Sequence, residues 1–136
     1  MTFLLDTNVI SEIRKATPDH RVTTWFESVD RASLHLSVMT VGEIRKGVER
    51  LRRRDPGQAD ELDSWLQRLV NVYGGRILPV DTEVAEAWGR LNVPDPMPLV
   101  DGLIAATALV RGLVLVTRNT ADFARTGAPL RNPFEG

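Results

Sequence analysis

The chain has 136 residues, of which 43% are hydrophobic and 26% charged, with a formal net charge of -1. That length and balance suit one folded domain over 1–136, and the near-zero charge does not advertise a polyanion or membrane partner, so any electrostatic steering is local. Cysteine is absent and histidine is limited to His20 and His35, which excludes disulfides, thiolate metal sites and cysteine nucleophiles and disfavours a histidine-rich zinc site.

The first apolar run, Thr2–Leu5, reads as a short buried strand that meets Asp6 at once. The start Met1-Thr2-Phe3 lacks a basic leader, and no apolar run nears the about 20 residues of a membrane span. The expectation is a soluble, cytoplasmic protein with no membrane partner. Asp6-Thr7-Asn8 opens a helix over 9–15, because short polar side chains cap free backbone N–H groups. Pro18-Asp19 marks a turn before a helix over 20–29, with Val22, Trp25, Phe26 and Val29 on one face. SLHLSV, 33–38, alternates as a strand does. A helix over 40–53 follows, with a stripe of Val41, Ile44, Val48 and Leu51. Asp55-Pro56-Gly57 is a break. A helix over 59–73 turns Leu62, Trp65, Leu66 and Leu69 inward and ends at Gly74-Gly75.

A strand over 76–80 leads to a helix over 82–91 that carries Trp88. The segment NVPDPMP, 92–98, holds three prolines and forms an extended loop. An alanine-rich helix over 99–110 is closed by Gly112, and LVLV, 113–116, is a fully apolar strand. A short helix over 119–125 and a last short strand over 129–134 complete the chain. Strands alternating with helices imply an α/β fold with a mainly parallel sheet covered on both faces. In such sheets, sites gather beyond the carboxyl ends of the strands.

Four polar positions fall at such junctions, and each has a plain structural alternative. Asp6 serves equally well as a helix cap. In TVGE, 40–43, Thr40 and Glu43 form a capping box, with Thr40 as N-cap. Asp101 complements the dipole of the first turn of its helix, yet its neighbours there are Ala105 and Ala108, so it is a partly buried charge in need of a partner. Asn119 and Asp122 cap and complement the short helix after LVLV. Together these groups suggest chemistry. Unpaired carboxylates repel by about 4 kcal/mol at a separation of about 4 Å and an effective dielectric near 20. A cluster therefore persists only with protons or cations, and oxygen donors without cysteine suit Mg²⁺ or Mn²⁺.

LLDTNVIS, SVMTVGEIRKGV, DGLIAATA and VTRNTADF, in that order and spacing, resemble the PIN-domain ribonucleases, and most of all the VapC and FitB type of toxin from bacterial toxin–antitoxin pairs. ILPVDTEVAEAWGRL, 77–91, is similar to the same subgroup. The resemblance runs from Phe3 to Phe134. It implies a three-layer α/β/α sandwich with a small, mainly parallel sheet and Mg²⁺-dependent endonucleolytic cleavage of RNA by metal-activated water. It places the metal-binding and catalytic acids at Asp6, Glu43 and Asp101. Many members carry a fourth acid where this chain has Asn119; Asp122 would compensate through water. Thr7, Asn8 and Thr117 match polar positions that support the site. The resemblance also implies a homodimer and a VapB-like antitoxin that wraps the toxin and covers the acidic pocket.

RKGVERLRRR, 45–54, holds six Lys/Arg and one Glu. Either Arg45, Arg50, Arg52 and Arg53 contact RNA phosphates, or the run is a solvated face balanced by the acids of 55–63. The three tryptophans read as packing or as dimer and antitoxin contacts, not as base-stacking platforms. One rival reading is a phosphotransferase of the haloacid-dehalogenase type, which wants a second Asp where Asn8 stands. Another is a catalytically weakened PIN-fold binding module, acting through dimerisation and antitoxin docking, of which Asn119 would be the first sign.

Overall fold

In the computed structural model, residues 1–135 are described; Gly136, the last position of the expected domain, lies outside the described residues. The strands are β1 (Phe3–Leu5), β2 (Leu34–Ser37), β3 (Ile77–Leu78), β4 (Val114–Val116) and β5 (Leu130–Arg131). All pair in parallel, in the order β3-β2-β1-β4-β5. The first strand of the chain is thus the centre of the sheet, with Phe3 in register with both Leu34 and Val114. This explains its composition, since a central parallel strand is covered on both faces.

The helices are α1 (Thr7–Arg14), α2 (His20–Ser28), α3 (Val38–Arg52), α4 (Pro56–Tyr73), α5 (Thr82–Leu91), α6 (Leu99–Arg111) and α7 (Thr120–Phe123). Strand alternation feeds two cores. Leu5 and Val116 face a layer built from α1 to α4, where Val9, Val22, Ile44 and Leu66 are buried. Leu4 and Leu115 face the other layer, against Ile104, Ala105 and Ala108 of α6 and Phe123 of α7. The three-layer parallel α/β fold expected from the alternation is therefore present. Gly112 closes α6 at φ 66°, a left-handed conformation that favours glycine.

Several boundaries differ from the sequence reading. Ser37, not Thr40, caps α3: its hydroxyl accepts the Met39 N–H at 3.0 Å. The helix starts at Val38 as soon as β2 ends, so the capping box at Thr40 and Glu43 does not form. Asp55 caps α4 through the Gln58 N–H, and Pro56 occupies the first turn, where its missing N–H costs nothing. The break at 55–57 is therefore also a helix start. The outer strands are shorter than 76–80 and 129–134. The ladder from β2 to β3 ends at Ser37 and Leu78, and Pro79, next in the chain, has no N–H to extend it. After Arg131 the chain turns, with the Phe134 N–H donating to Asn132 Oδ1 at 2.9 Å.

Candidate active site

The carboxyl ends of β1 and β4 lie side by side, and Asp6 and Thr117 follow them directly. Asp6 is 5% exposed, and its two oxygens have different partners. Oδ1 accepts the Thr7 N–H at 2.7 Å and so caps α1. Oδ2 accepts the Thr117 hydroxyl at 2.8 Å. The cap reading and the site reading of Asp6 are thus both satisfied by one side chain. Thr117, fully buried, also accepts the Asn119 N–H at 3.0 Å through its hydroxyl oxygen. Asn8 reaches across the same junction: its Oδ1 accepts the Arg118 N–H at 3.3 Å, and its Nδ2 donates to Thr117 Oγ1 at 3.5 Å, the long limit of a hydrogen bond.

Because α3 starts at Val38, Glu43 falls in its second turn and faces α1. The Thr7 hydroxyl donates toward Glu43 Oε1 and Thr40 Oγ1, each at 3.1 Å. Thr40 is buried inside the helix and supports Thr7 instead of capping. Asp101 sits in the first turn of α6, half-buried, one residue before Gly102. A Cβ on Gly102 would stand 3.0 Å from Trp88 Cδ1, so a larger residue there would make the indole shift beside Asp101. Trp88 packs against Val84, Ala87 and Ala106, one of the two roles its position offered, and its buried Nε1 has no hydrogen-bond partner among the described residues.

Electrostatics tie these acids together. Burial pushes the Asp6 carboxyl above its ordinary range. The Thr117 and Thr7 hydrogen bonds pull it back, and the charges of Asp101 and Glu43 push it further up. Asp101 is raised first by burial, then by Glu43 and Asp122. Among the described residues, no hydrogen-bond donor is among the effects on Asp101, so the partner its sequence context demanded does not come from them. Asp122 lines the same small cavity as Asp101 but is exposed, as is Asn119. The Asn119 side chain does not cap α7.

Among the described residues, no three His, Asp or Glu side chains stand close enough to grip one ion directly. The set fits a hard cation that keeps much of its water and takes one or two carboxylates, as Mg²⁺ does. Asp101, raised and without a donor, and Asp6, with acidic neighbours, are the groups with charge left to offer.

Thr117 is the hinge of this arrangement. Thr117→Val should lower stability by about 1–3 kcal/mol at neutral pH, because the buried Asp6 Oδ2 loses its donor. A urea titration of both proteins checks this; an unchanged midpoint would count against the bond.

Two of the six cations of the basic run are engaged. Arg45 pairs with Asp63 at 2.9 Å, and Arg52 with Asp60 at 2.7 Å and Asp63 at 3.3 Å. These are the acids of α4 that the sequence offered as the balancing partners. Arg50 and Arg53 are exposed and form no ion pair among the described residues.

A parallel α/β/α sandwich with acids gathered at the carboxyl edge of its central strands places the chain in a known class. The chain belongs to the PIN-domain family, whose model matches residues 3–129. Among its relatives are the VapC ribonuclease Y4jK of Sinorhizobium fredii, 34% identical over 97% of both chains, and toxin FitB of Neisseria gonorrhoeae, 35% identical over 96% of this chain and 97% of that one. The crystal structure of FitAcB from Neisseria gonorrhoeae superposes with a TM-score of 0.91 at 33% identity, covering 99% of this chain and 100% of that one. Among the described residues, no helix is long and apolar enough to cross a membrane.

Proposed function

We propose that this chain is an Mg²⁺-dependent endoribonuclease and the toxin of a type II toxin–antitoxin pair. The observation that carries the reading is the geometry at the end of β1, where buried Asp6 is fixed by Thr7 and Thr117, Thr7 also holds Glu43, and Asp101 lies close enough for its charge to act on Asp6. Folding has assembled carboxylates there whose charge a proton or a bound cation offsets. The relatives named as VapC ribonuclease and toxin FitB support the same activity.

Asp6 and Asp101 would hold the cation, with Glu43 reaching it through water. When bound, a divalent ion supplies an activated water and offsets charge on the phosphoryl group. The protein groups do the positioning. Thr117 and the Thr7 N–H each bond one oxygen of Asp6 and so hold the carboxylate in one orientation. Thr7 holds Glu43 on the water-facing side. Asn119, an amide in place of an acid, orients water without adding charge; Asp122 stands beside Asp101 as the compensating acid. The solved FitAB complex with DNA supports a cognate antitoxin as partner, and a homodimer belongs to the same reading.

The test is cleavage of tRNA, rRNA and mRNA by the purified chain with Mg²⁺, with Mn²⁺ and with a chelator. Cleavage is expected with either metal and absent with chelator. If all three RNAs stay intact in Mn²⁺, the enzyme reading fails and the weakened binding module, which Asn119 favours, takes its place.

A further inference from the structure

We propose that the groove between α1 and the α3–α4 pair is the path along which an RNA strand lies as it leaves the carboxylates, with Arg14 and Trp65 as its holding point. The inference rests on the ribonuclease reading and adds a binding site for the strand beyond the cut phosphate. Thr7, Ser11 and Arg14 follow one another at spacings of four and three and so share one face of α1. That face walls a cavity of about 230 Å³ whose other side is Glu43 and Gly47 of α3 and Trp65 of α4. Arg14 and Trp65 also line a second cavity, of about 680 Å³, which adds Lys15 and Arg68. One depression therefore joins the acidic site to a basic end.

A polyanion requires that gradient. Clustered carboxylates repel the phosphates flanking the cut, and cations further along hold them. Arg14 and Arg68 are exposed and make no ion pair among the described residues, whereas Lys15 is bonded to Glu12 at 2.8 Å. The rim also carries Asp60, taken by Arg52, and an exposed Glu61, which leaves two free arginines against one free carboxylate among the described residues. The Arg14 guanidinium lies 5.7 Å from the centre of the half-buried Trp65 ring. That is the outer range of a cation–π contact, so the two side chains stand together at the groove, one offering charge to a phosphate and the other a ring edge or face to a base. Trp65 thus does more than the packing its spacing suggested.

Gly47 adds an independent observation. It sits inside α3, where glycine costs about 1 kcal/mol relative to alanine. A Cβ there would meet nothing within 4 Å, so packing does not require glycine. The position therefore faces open space at the groove, where a larger side chain can be introduced.

The experiment uses a fluorophore-labelled, single-stranded oligoribonucleotide of mixed sequence. Anisotropy reads its binding without divalent ions, and KM for its cleavage is read with Mn²⁺. Gly47→Leu projects a side chain into the groove from a Cβ that meets nothing within 4 Å, and the Arg14→Ala/Arg68→Ala pair removes the free cations. Each is expected to weaken binding and raise KM about tenfold. The double variant's log–log salt slope should become shallower by about 1 to 1.5, as for two lost phosphate contacts. Arg90→Ala, an exposed cation on α5 outside the groove, should change nothing. Unchanged binding and KM in both groove variants overturns the path. So does a loss confined to binding of an antitoxin peptide, which would assign the groove to a protein partner. Wild-type protein that binds the oligoribonucleotide but does not cut it defeats the ribonuclease reading, while anisotropy of the variants still decides the path.

Discussion

Asp101→Asn should lose about a thousandfold in Mn²⁺-dependent RNA cleavage while gaining thermal stability. The loss follows from removing one of the two carboxylates placed to hold the ion, whose charge stabilisation is worth several kcal/mol at about 1.4 kcal/mol per tenfold. The gain follows from the direction of its titration. Burial and the charges of Glu43 and Asp122 raise the Asp101 carboxyl above its ordinary value of 3.8. A group raised in the folded state contributes stability that is complete below its unfolded value and is lost as pH rises through the folded one. In chelator at pH near 7 the ionised Asp101 therefore costs stability, and asparagine does not. Melting curves of the two proteins should separate at neutral pH, with the variant higher, and converge as pH falls toward 3.8. Full cleavage by Asp101→Asn would move the site elsewhere. A variant that melts lower at neutral pH would mean the carboxylate is already paired.

Phe123→Ala should cost about 3–5 kcal/mol, the range for truncating a buried aromatic ring. Stabilities of whole domains are about 5–15 kcal/mol, so this one change removes much of the margin. Phe123 is 1% exposed and is the only buried residue of α7. Its ring packs with Leu4, Ile104 and Leu115. Together with the Thr117 hydroxyl that holds the Asn119 N–H, this anchor positions Asn119 and Asp122. Chemical denaturation reads the stability. A loss under about 1 kcal/mol would mean that α7 is held by its backbone alone.

The fold was legible because its central strands are apolar throughout and its helices carry clear stripes. Phe3–Leu5 and Val114–Val116 could hardly be anything but interior parallel strands. The start of α3 was not legible: Ser37 and Thr40 are both competent caps, and the choice rests on where β2 loses its partner. Asp6 and Thr117 could be suspected from their junctions, but the bond between them depends on β1 and β4 being neighbours. Which arginines are free was also hidden. Arg45 and Arg52 meet Asp60 and Asp63 only because α3 and α4 pack together. The groove past Gly47 has no linear signature, since its three walls come from helices that the sequence treats as separate units.

The placement of β1 bears on when the site comes into being. The strand is made first, yet it sits between β2 and β4, and the hydrogen bond from Thr117 to Asp6 spans 111 positions. A growing chain on the ribosome can form α1 through α4 and still lack Asp101, Thr117 and half the sheet that aligns Asp6. Non-local pairing of this kind also slows folding. The acidic centre is therefore among the last features to mature during synthesis, and the interval before it closes belongs to a chain that presents the helices of one face while its carboxylates are not yet gathered.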